Sequence, residues 1–385
     1  MQENAKFTNK TLRARVIIAI LLFCTMPHIA SAQDSNTFFQ RARILFAGDV
    51  MQHTQQLDEA RQSDGTYSYS HWYRHISKEI KSYDLAIANL ETPVYKEGFS
   101  GYPSFCAPDS FLHAIRDAGF NVVLFANNHC FDKGKRGAMH TLDLLDSLDI
   151  AHCGVYRNAD EREQRYPLVI ERNGIKVAIL NYTYGTNGNN IPEPMVVNLI
   201  DKPTIENDIF KAKSKGADVI IACMHWGDEY VRIAPKRVQE LSRWLIENGV
   251  DHIIGNHPHI IQPIEIRENP DTPDEHTVVY STGNLVSNMS LRGTDGGMMV
   301  RMELRKIMNY TRVASLEYLL TWIAPKKSNG KRDFTILPAA TTECPDGSHA
   351  QKKLQQFLDD TKELFRNHNK GEIKEWTTDS VRITP

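Results

Sequence analysis

The 385-residue sequence predicts an α/β fold: a four-layer α-β-β-α sandwich in which two sheets pack back to back under outer helices. Short apolar runs alternate with segments of helical spacing, which is typical of a largely parallel sheet. Each of these runs stops at a cluster of polar residues. One stretch departs from this alternation of strands and helices. There, Asn173-Gly174 lies directly between two apolar runs, which predicts an antiparallel hairpin.

The apolar runs are read as buried strands because each is short and is ended by a loop. They occupy residues 42–47, 85–88, 122–126, 219–224 and 252–254. Helices are predicted at residues 75–81, 109–118, 137–148 and 237–248, and the hairpin strands at 168–170 and 177–180. Towards the C-terminus we predict antiparallel strands at 297–304 and 313–323 and an amphipathic helix at 351–365.

The N-terminal segment has the anatomy of a secretory signal peptide. Lysines and arginines precede an apolar run at residues 16–26, and Ala30-Ser31-Ala32 forms a small-x-small cleavage site. The run is shorter than the ~20 residues that span a bilayer. We therefore expect cleavage near Ala32 and an exported protein, periplasmic or extracellular, with an uncleaved anchor as the alternative.

The expected organisation follows from this segment and from the last of the polar motifs. It comprises a signal peptide at 1–32, a linker at 33–42, an α/β domain at 43–290 and a C-terminal extension at 291–385. The extension is expected to contain strands and a helix that pack on the core.

Composition narrows the class of partner. A net charge of −2 provides no overall field that would attract nucleic acid or an anionic membrane, so no specific nucleic-acid partner is expected. Cleavage would leave five cysteines without a C-x-x-C pair, so no disulfide framework is expected, and buried thiols are the simpler interpretation.

Polar residues at the ends of five predicted strands are the main functional signal. A single Asp or His at such a position is usually a cap or a hydrogen-bonded residue. In open α/β sheets, however, these ends converge on one crevice, and carboxylate, imidazole and amide donors suit Mn, Fe or Zn. The set comprises Asp49, Glu91, Asn128, His129, His225, His257 and His259.

The segment His257-Pro258-His259 is the most specific part of this set. If the segment is extended, alternate side chains point the same way, and Pro258 biases His257 away from the helical region. Both imidazoles are therefore predicted to face one metal site.

The residues of these motifs resemble those of the CapA family of capsule and poly-γ-glutamate synthesis proteins, which lies within the calcineurin-like metallophosphoesterases. The matches run in order from about residue 43 to 288. They are FAGDVM at 46–51, NLETP at 89–93, ANNH at 126–129 with Asp132 and Gly134, NYTYGTNG at 181–188, HWG at 225–227 with Glu229, HPH at 257–259 with Gln262, and YSTGN at 280–284.

The resemblance implies a site with two divalent metal ions (Mn, Fe or Zn) that share an activated water. One ion would be held by Asp49, Glu91 and His259, with Glu91 as the bridge. The second ion would be held by Asn128, His225 and His257.

His129 would be the catalytic proton donor, or alternatively a residue that Asp132 orients to support the ligands. The superfamily's first motif has a His where this chain has Met51, so His53 is a candidate for the missing ligand. Residues expected beside the ligands or on the substrate rim are Asn89, Asp132, Tyr184, Asn187, Glu229 and Asn284.

The expected function is that of an exported metal-dependent hydrolase. It would cleave a phosphoester, or an amide bond in an anionic surface polymer such as poly-γ-glutamate, and membrane-bound polymer synthesis machinery is a candidate partner. One alternative is a non-catalytic component that binds the polymer or assembles an export system. A nuclease or nucleotidase is a third interpretation, which the near-neutral charge disfavours.

Overall fold

The computed structural model describes residues 39–268, 275–323, 332–340 and 347–376. The predicted signal peptide and most of the predicted linker lie outside the described residues, as does Cys344. Within the described part, no helix combines the length and the apolar character needed to cross a bilayer.

The strands and helices alternate along the chain as the sequence predicts. The strands are β1 Gln40–Val50, β2 Leu85–Leu90, β3 Val122–Leu124, β4 Ala151–Cys153, β5 Val155–Tyr156, β6 Leu168–Arg172, β7 Ile175–Thr183, β8 Val196–Val197, β9 Val219–His225, β10 His252–Asn256, β11 Ile264–Glu268, β12 Glu275–Val279, β13 Asn284–Val286, β14 Gly296–Ile307, β15 Tyr310–Ile323, β16 Ile336–Pro338 and β17 Lys374–Glu375. The helices are α1 Thr54–Ala60, α2 Ser77–Ile80, α3 Asp109–Ala118, α4 Gly134–Ser147, α5 Ala159–Arg165, α6 Lys202–Ser214, α7 Lys236–Glu247 and α8 Gly347–His368.

The larger sheet has the order β16-β15-β14-β1-β2-β3-β4, and in addition β13 pairs with β1 and β17 with β15. Strands β1 to β4 run parallel, so their carboxyl ends lie along one edge. The smaller sheet has the order β11-β12-β10-β9-β7-β6, and β7, β9, β10 and β12 run parallel within it. A two-stranded sheet pairs β5 with β8.

Alternation along β1 explains the four layers. Ala42, Ile44 and Phe46 belong to a core cluster that they share with residues of the smaller sheet. Leu45 and Ala47 belong to a second cluster with the buried faces of α3 and α4. Because successive side chains of a strand point to opposite faces, β1 is buried on both sides. Helices α6 and α7 cover the outer face of the smaller sheet, and the predicted α-β-β-α sandwich is confirmed.

The predicted hairpin is confirmed as β6 and β7, which pair antiparallel from Leu168–Ile179 to Arg172–Ile175. The turn residues Asn173 and Gly174 have φ of 52° and 80°. Two consecutive left-handed residues fit a tight hairpin turn, and Asn-Gly tolerates that conformation best. The terminal strands β14 and β15 also pair antiparallel, as predicted.

Residues after 290 are built into the larger sheet. Strand β14 pairs antiparallel with β1, with Gln40 opposite Lys306 and Phe46 opposite Val300. The sheet therefore continues without a break across the expected boundary between the domain at 43–290 and the extension at 291–385. Four of the cysteines, Cys106, Cys130, Cys153 and Cys223, are buried free thiols.

Candidate metal centre

The larger sheet brings three of the predicted ligands to its carboxyl edge. Asp49 is the penultimate residue of β1, and Glu91 directly follows β2. Asn128 and His129 lie in the loop after β3. All four side chains are buried, with at most 4% exposure.

The smaller sheet brings the remaining predicted ligands to the same place. His225 is the last residue of β9, and His257 and His259 follow β10. These three imidazoles are at most 3% exposed. The ring centroids of His225 and His257 are 4.8 Å apart, and those of His257 and His259 are 5.9 Å apart.

The prediction that His257-Pro258-His259 is extended is wrong. His257 and His259 have φ of 98° and 58°, so both lie in the left-handed region. The segment is a turn and not a strand continuation, and its backbone is held by the Tyr230 N–H, which donates to the Pro258 carbonyl at 2.9 Å. The two imidazoles still reach one site, by a different route. Such strain costs of order 1–3 kcal/mol per residue and clusters at functional sites.

Glu91 lies at the centre of the cluster. Its Oε1 atom is 3.4 Å from His225 Nε2 and 3.7 Å from His259 Nε2. Two sets of donor atoms within 4.8 Å of one another both include it: Glu91, His257 and His259 form one, and Asp49, Glu91 and His225 form the other. These sets assign the histidines differently from the expected division, and Glu91, the expected bridge, is common to both.

The amide of Asn128 completes the arrangement. Its Oδ1 atom lies 2.8 Å from His225 Nε2. Its Nδ2 atom donates to Asn187 Oδ1 at 3.2 Å, which fixes the orientation of the amide. The oxygen of Asn128 therefore faces the histidine side of the site, as an amide ligand would.

The ring of His259 is held through Nδ1, the nitrogen that does not face Glu91. Its Nδ1 atom is 3.1 Å from both Asp49 Oδ2 and Asn284 Oδ1, so Nδ1–H donates to these oxygens. Asn284 in turn donates to the His259 carbonyl at 3.2 Å. Nε2 is left facing Glu91, which is the orientation that a metal ligand needs. Asn284 was expected beside the ligands or on the rim, and the structure places it buried against His259.

The charges of the cluster conflict with its burial. Burial disfavours ionised Asp49, yet the hydrogen bond and charge of His259, with His225 and Asn89, lower its pKa to about 2. Burial, followed by the charge of Asp49, raises the pKa of Glu91 well above the ordinary carboxyl value. The surroundings thus stabilise the ionised form of Asp49 and destabilise the ionised form of Glu91.

The pKa values of the three histidines are also shifted in opposite directions. Burial lowers the pKa of His225 to about 3, and burial together with the neighbouring histidines lowers that of His257. For His259, burial is outweighed by Glu91 and Asp49, which raise the pKa to about 9. Neutral imidazoles are the form that binds metal.

Among the proposed ligands, which all lie in the described part of the chain, two buried atoms lack a hydrogen-bond partner: Glu91 Oε1 and His257 Nδ1. Leaving a buried polar atom unpaired is costly, so such atoms call for a specific explanation. A carboxylate oxygen and an imidazole nitrogen among oxygen and nitrogen donors fit borderline divalent cations such as Mn, Fe or Zn. The residues present therefore suit two divalent ions, whose positive charge would also stabilise ionised Glu91.

Asparagine side chains brace the carboxylates. Asn89 Nδ2 donates to Asp49 Oδ1 at 2.8 Å and lies 3.3 Å from Glu91 Oε2. Asn127, to which sequence reasoning gave no role, donates to the Leu90 carbonyl at 2.7 Å and accepts from the His129 N–H at 3.1 Å. Its position at the same strand end as Asn128 was the signal that could have identified it.

His129 is oriented by Asp132, whose Oδ2 is 2.7 Å from His129 Nδ1. The ring of Phe105 packs edge-on against the imidazole at 4.6 Å between centroids. Asn187 Nδ2 is nearly equidistant from the two ring nitrogens, 3.5 Å from Nδ1 and 3.4 Å from Nε2. Nε2 is thus the nitrogen that points away from the supporting carboxylate.

His53 lies outside the donor sets found among the described residues. It caps α1, with Nδ1 3.1 Å from Gln56 Oε1 and 3.3 Å from the Asn288 N–H. Burial lowers its pKa to about 4, so it is a neutral imidazole near the site. Its role as a further ligand stays a prediction.

Tyr184 lies beside His257, and Glu229 lies in the loop after β9. The ring of Tyr184 is 4.6 Å from that of His257, and its hydroxyl donates to Asn187 Oδ1 at 3.3 Å. Glu229 is exposed, four residues after the end of β9. Asn187 is also exposed and has a left-handed φ of 51°.

Together, the sandwich and the buried Asp, Glu, Asn and His cluster at its strand ends define the class: an α/β protein with a candidate binuclear metal centre. The chain belongs to the family described as bacterial capsule synthesis protein PGA_cap, whose model matches residues 43–289. The predicted relation to CapA proteins is therefore confirmed.

Two relatives named CapA are similar to this chain. The capsule biosynthesis protein CapA of Bacillus anthracis is 29% identical over 252 residues, which is 62% of this chain and 59% of the relative. The match therefore spans about three fifths of that protein's length. The PGA biosynthesis protein CapA of Bacillus subtilis (strain 168) is 24% identical over 358 residues, 89% of this chain and 90% of the relative.

Solved structures give more distant similarities. The NAD nucleotidase NadN of Haemophilus influenzae aligns with 85% of this chain and 56% of its own, at 14% identity and a TM-score of 0.45. The calcineurin-like phosphoesterase YfkN from Bacillus subtilis aligns with 85% of this chain and 99% of its own, at 16% identity and a TM-score of 0.42.

Proposed function

We propose that this protein is an exported metal-dependent hydrolase that processes an anionic surface polymer during capsule synthesis. The names of the relatives supply the capsule and poly-γ-glutamate context. The bond cleaved is a phosphoester or an amide. The observation that carries the proposal is the buried donor cluster, in which Glu91 Oε1 and His257 Nδ1 have no hydrogen-bond partner.

The ligands would be Asp49, Glu91 and Asn128 from the larger sheet and His225, His257 and His259 from the smaller sheet. A pair of divalent ions held there supplies Lewis acidity and a nucleophilic water at neutral pH. The chain itself fixes the donors: Asn89 orients Asp49, and Asn284 orients His259.

His129 is the residue proposed to move a proton. Asp132 holds Nδ1–H, so proton exchange with a leaving group takes place at Nε2. Phe105 covers one side of the ring and shields the His129–Asp132 pair from bulk water. Positioning of this kind favours the tautomer that catalysis needs.

The experiment measures metal content and turnover together. Purified chain lacking residues 1–32 is loaded with Mn²⁺, and release of phosphate from a generic phosphomonoester and cleavage of poly-γ-glutamate are assayed in parallel. We expect turnover on one of these substrates, and loss of bound metal in His257→Ala. The matched control is His113→Ala, since His113 lies exposed on α3.

The outcomes separate the candidate functions. Turnover that needs metal and His129 supports the hydrolase. Tight polymer binding with no turnover on either substrate would instead support a binding or assembly component, and no metal bound by the wild-type chain would overturn the metal centre itself. Recovery of the mature protein from the periplasm or medium, cut near Ala32, tests export.

A further inference from the structure

One buried asparagine connects the two segments that carry Asn128 and His225. Asn181 lies in β7 of the smaller sheet, at the start of the motif at 181–188, and is 2% exposed. Its neighbours along the strand, Leu180 and Tyr182, belong to the core cluster that the two sheets share. A polar side chain in such surroundings is unfavourable unless it is hydrogen-bonded, so its partners indicate why it is there.

The side chain of Asn181 bonds to both sheets. Its Oδ1 atom accepts from the Ala126 N–H at 2.8 Å, and its Nδ2 atom donates to the Cys223 carbonyl at 3.1 Å. Ala126 follows β3 of the larger sheet, whereas Cys223 lies in β9 of the smaller sheet. One planar amide therefore joins the two sheets, and we call this Ala126–Asn181–Cys223 connection the asparagine link.

Both ends of the asparagine link are close to a proposed ligand. Ala126 comes two residues before Asn128, and Cys223 comes two residues before His225. Asn128 Oδ1 lies 2.8 Å from His225 Nε2. This separation depends on how the end of β3 is placed against the end of β9, and the asparagine link fixes that placement.

The backbone of Asn181 is held as well. Its N–H donates to the Tyr166 hydroxyl at 3.0 Å, and its carbonyl accepts from Asn198 Nδ2 at 3.1 Å. Tyr166 and Asn198 are both buried. Asn181 thus has hydrogen-bond partners in four separate segments, so it cannot move towards one sheet without losing a bond to another segment.

The residue that packs against the asparagine link has to be a glycine. Gly154 has φ of 109°, in the left-handed region. A Cβ atom at this position would lie 2.3 Å from Asn181 Oδ1 and 2.4 Å from the Ala126 nitrogen, far inside van der Waals contact. Glycine permits such a close approach of other groups to the backbone. A second position of the sequence is therefore adapted to the Ala126–Asn181 hydrogen bond.

We infer that Asn181 is a positioning residue for the second metal ion. It acts through the backbone of Ala126 and Cys223, and it sets the separation of an amide ligand and an imidazole ligand. The first ion depends on Asp49 and Glu91, which are placed by β1 and β2. This inference rests on the proposed function, which assigns the second ion to Asn128, His225 and His257.

The test compares Asn181→Ala with Asn198→Ala. Asn198 is the matched control because it is equally buried, and its side chain bonds the Asn181 carbonyl and Arg162. Its removal disturbs the same region but leaves the asparagine link in place. Mn²⁺ binding is titrated by calorimetry, and electron paramagnetic resonance reports whether two bound Mn²⁺ ions are magnetically coupled.

In Asn181→Ala the affinity for the second Mn²⁺ ion should fall by about 10–100-fold, the range for residues that support metal ligands. The signal of the coupled pair should be lost, while the first ion binds as in wild type. Asn198→Ala should keep both ions and the coupled signal. A general loss of stability would not produce this selectivity.

Gly154→Ala is a second variant that disturbs the asparagine link and keeps all of its polar groups. Its added methyl group should separate Asn181 Oδ1 from the Ala126 nitrogen and cause the same selective loss of the second ion. Hydrogen exchange is measured on the metal-free chain by mass spectrometry. Exchange should become faster at residues 125–129 in both variants and stay unchanged at residues 85–90.

Equal loss of both ions, the same loss in Asn198→Ala, or unchanged Mn²⁺ binding in Asn181→Ala would overturn the inference. Failure of Asn181→Ala and Gly154→Ala to fold, beside a folded Asn198→Ala, would reject it too and assign the asparagine link to stability. Selective loss of the second ion in a protein without turnover would support the inference and reject the hydrolase. A wild-type chain that binds no Mn²⁺ would reject both.

Discussion

The two sheets supply chemically different halves of the candidate metal centre. The larger sheet provides oxygen donors from Asp49, Glu91 and Asn128, and the asparagines at 89 and 127 brace this half by hydrogen bonds. The smaller sheet provides the nitrogen donors. Two of these, His257 and His259, stand on a strained turn.

The halves meet through the ligands themselves. His259 contacts Asp49, His225 contacts Asn128, and the His257 N–H lies 3.4 Å from Asp49 Oδ2. The comparison teaches that the oxygen donors are held mainly by hydrogen bonds from residues that are not proposed ligands. The nitrogen half takes its position from contacts across the site, which a bound cation would strengthen.

The largest effect is expected for Glu91→Gln, since Glu91 belongs to both donor sets. Supporting residues of metal sites are worth about 10–100-fold, so loss of the shared ligand should reduce turnover by more than about 100-fold and remove bound metal. Mass spectrometry of the metal content, measured beside the activity, checks this prediction.

Without bound metal, the same Glu91→Gln substitution should stabilise the protein. Burial and Asp49 raise the pKa of Glu91, so the folded chain retains a proton that the unfolded chain loses, and stability falls as the pH rises above the ordinary carboxyl range. At pH 7, Glu91→Gln should therefore raise the melting temperature without metal and lower it with Mn²⁺ relative to wild type. A lower melting temperature in both states would show that Glu91 is structural.

His129→Ala is expected to give the next largest effect. General acid–base groups contribute about 10²- to 10⁴-fold to turnover, and kcat should fall in that range with metal content unchanged. Kinetics with metal analysis on the same sample provides the measurement. Loss of metal together with activity would assign His129 to support of the ligands, the alternative that the sequence leaves open.

Asn127→Ala tests whether the brace organises the oxygen half. The substitution removes the partners of the Leu90 carbonyl and the His129 N–H, and Mn²⁺ affinity should fall by about 10–100-fold. The matched control is Asn121→Ala at the other end of β3, where Asn121 bonds the Ala86 N–H and the Asp84 carbonyl. If both variants lose affinity equally, general destabilisation of the sheet explains the result.

The smallest single step is expected from a change of one pH unit, which alters the affinity for Mn²⁺. Glu91 and Asp49 outweigh burial and raise the pKa of His259 to about 9, so a metal ion must displace a proton from this ligand. Mn²⁺ affinity should rise by about tenfold per pH unit between pH 6 and 9, with release of at least one proton. Titrations at several pH values check this, and a flat profile would contradict it.

The same histidine links pH to folding in the metal-free chain. Because its folded pKa is raised above the ordinary value, protonated His259 contributes stability that is fully present below about pH 6.5. That contribution is lost as the pH rises through about 9. Thermal unfolding across this range, with His113→Ala as the control for an exposed imidazole, would show the decline.

Sequence patterns predicted the parts of this structure that have a local cause. The helix at 109–118 has the predicted bounds, and Asn173-Gly174 specifies its hairpin because only a few residue pairs accept two left-handed positions. The strand-end rule likewise placed the six proposed ligands together, since parallel strands end at one edge.

Other features of the structure could not be predicted, because no local sequence pattern specifies them. The turn at 257–259 was expected to be extended, because the hydrogen bond from Tyr230 that supports its left-handed backbone comes from a distant loop. Asn127 and Asn128 follow the same strand in sequence, and only the fold shows that one braces Leu90 while the other faces His225.

The pairing of β14 with β1 has a consequence for how the protein is made. The strand that carries Asp49 is synthesised early, but its neighbour at 296–307 follows some 250 residues later. Until then one edge of β1 has open N–H and C=O groups, which are prone to wrong pairing. A growing chain therefore cannot finish the pocket, and a shortened version ending at residue 289 should aggregate even though it retains every proposed ligand.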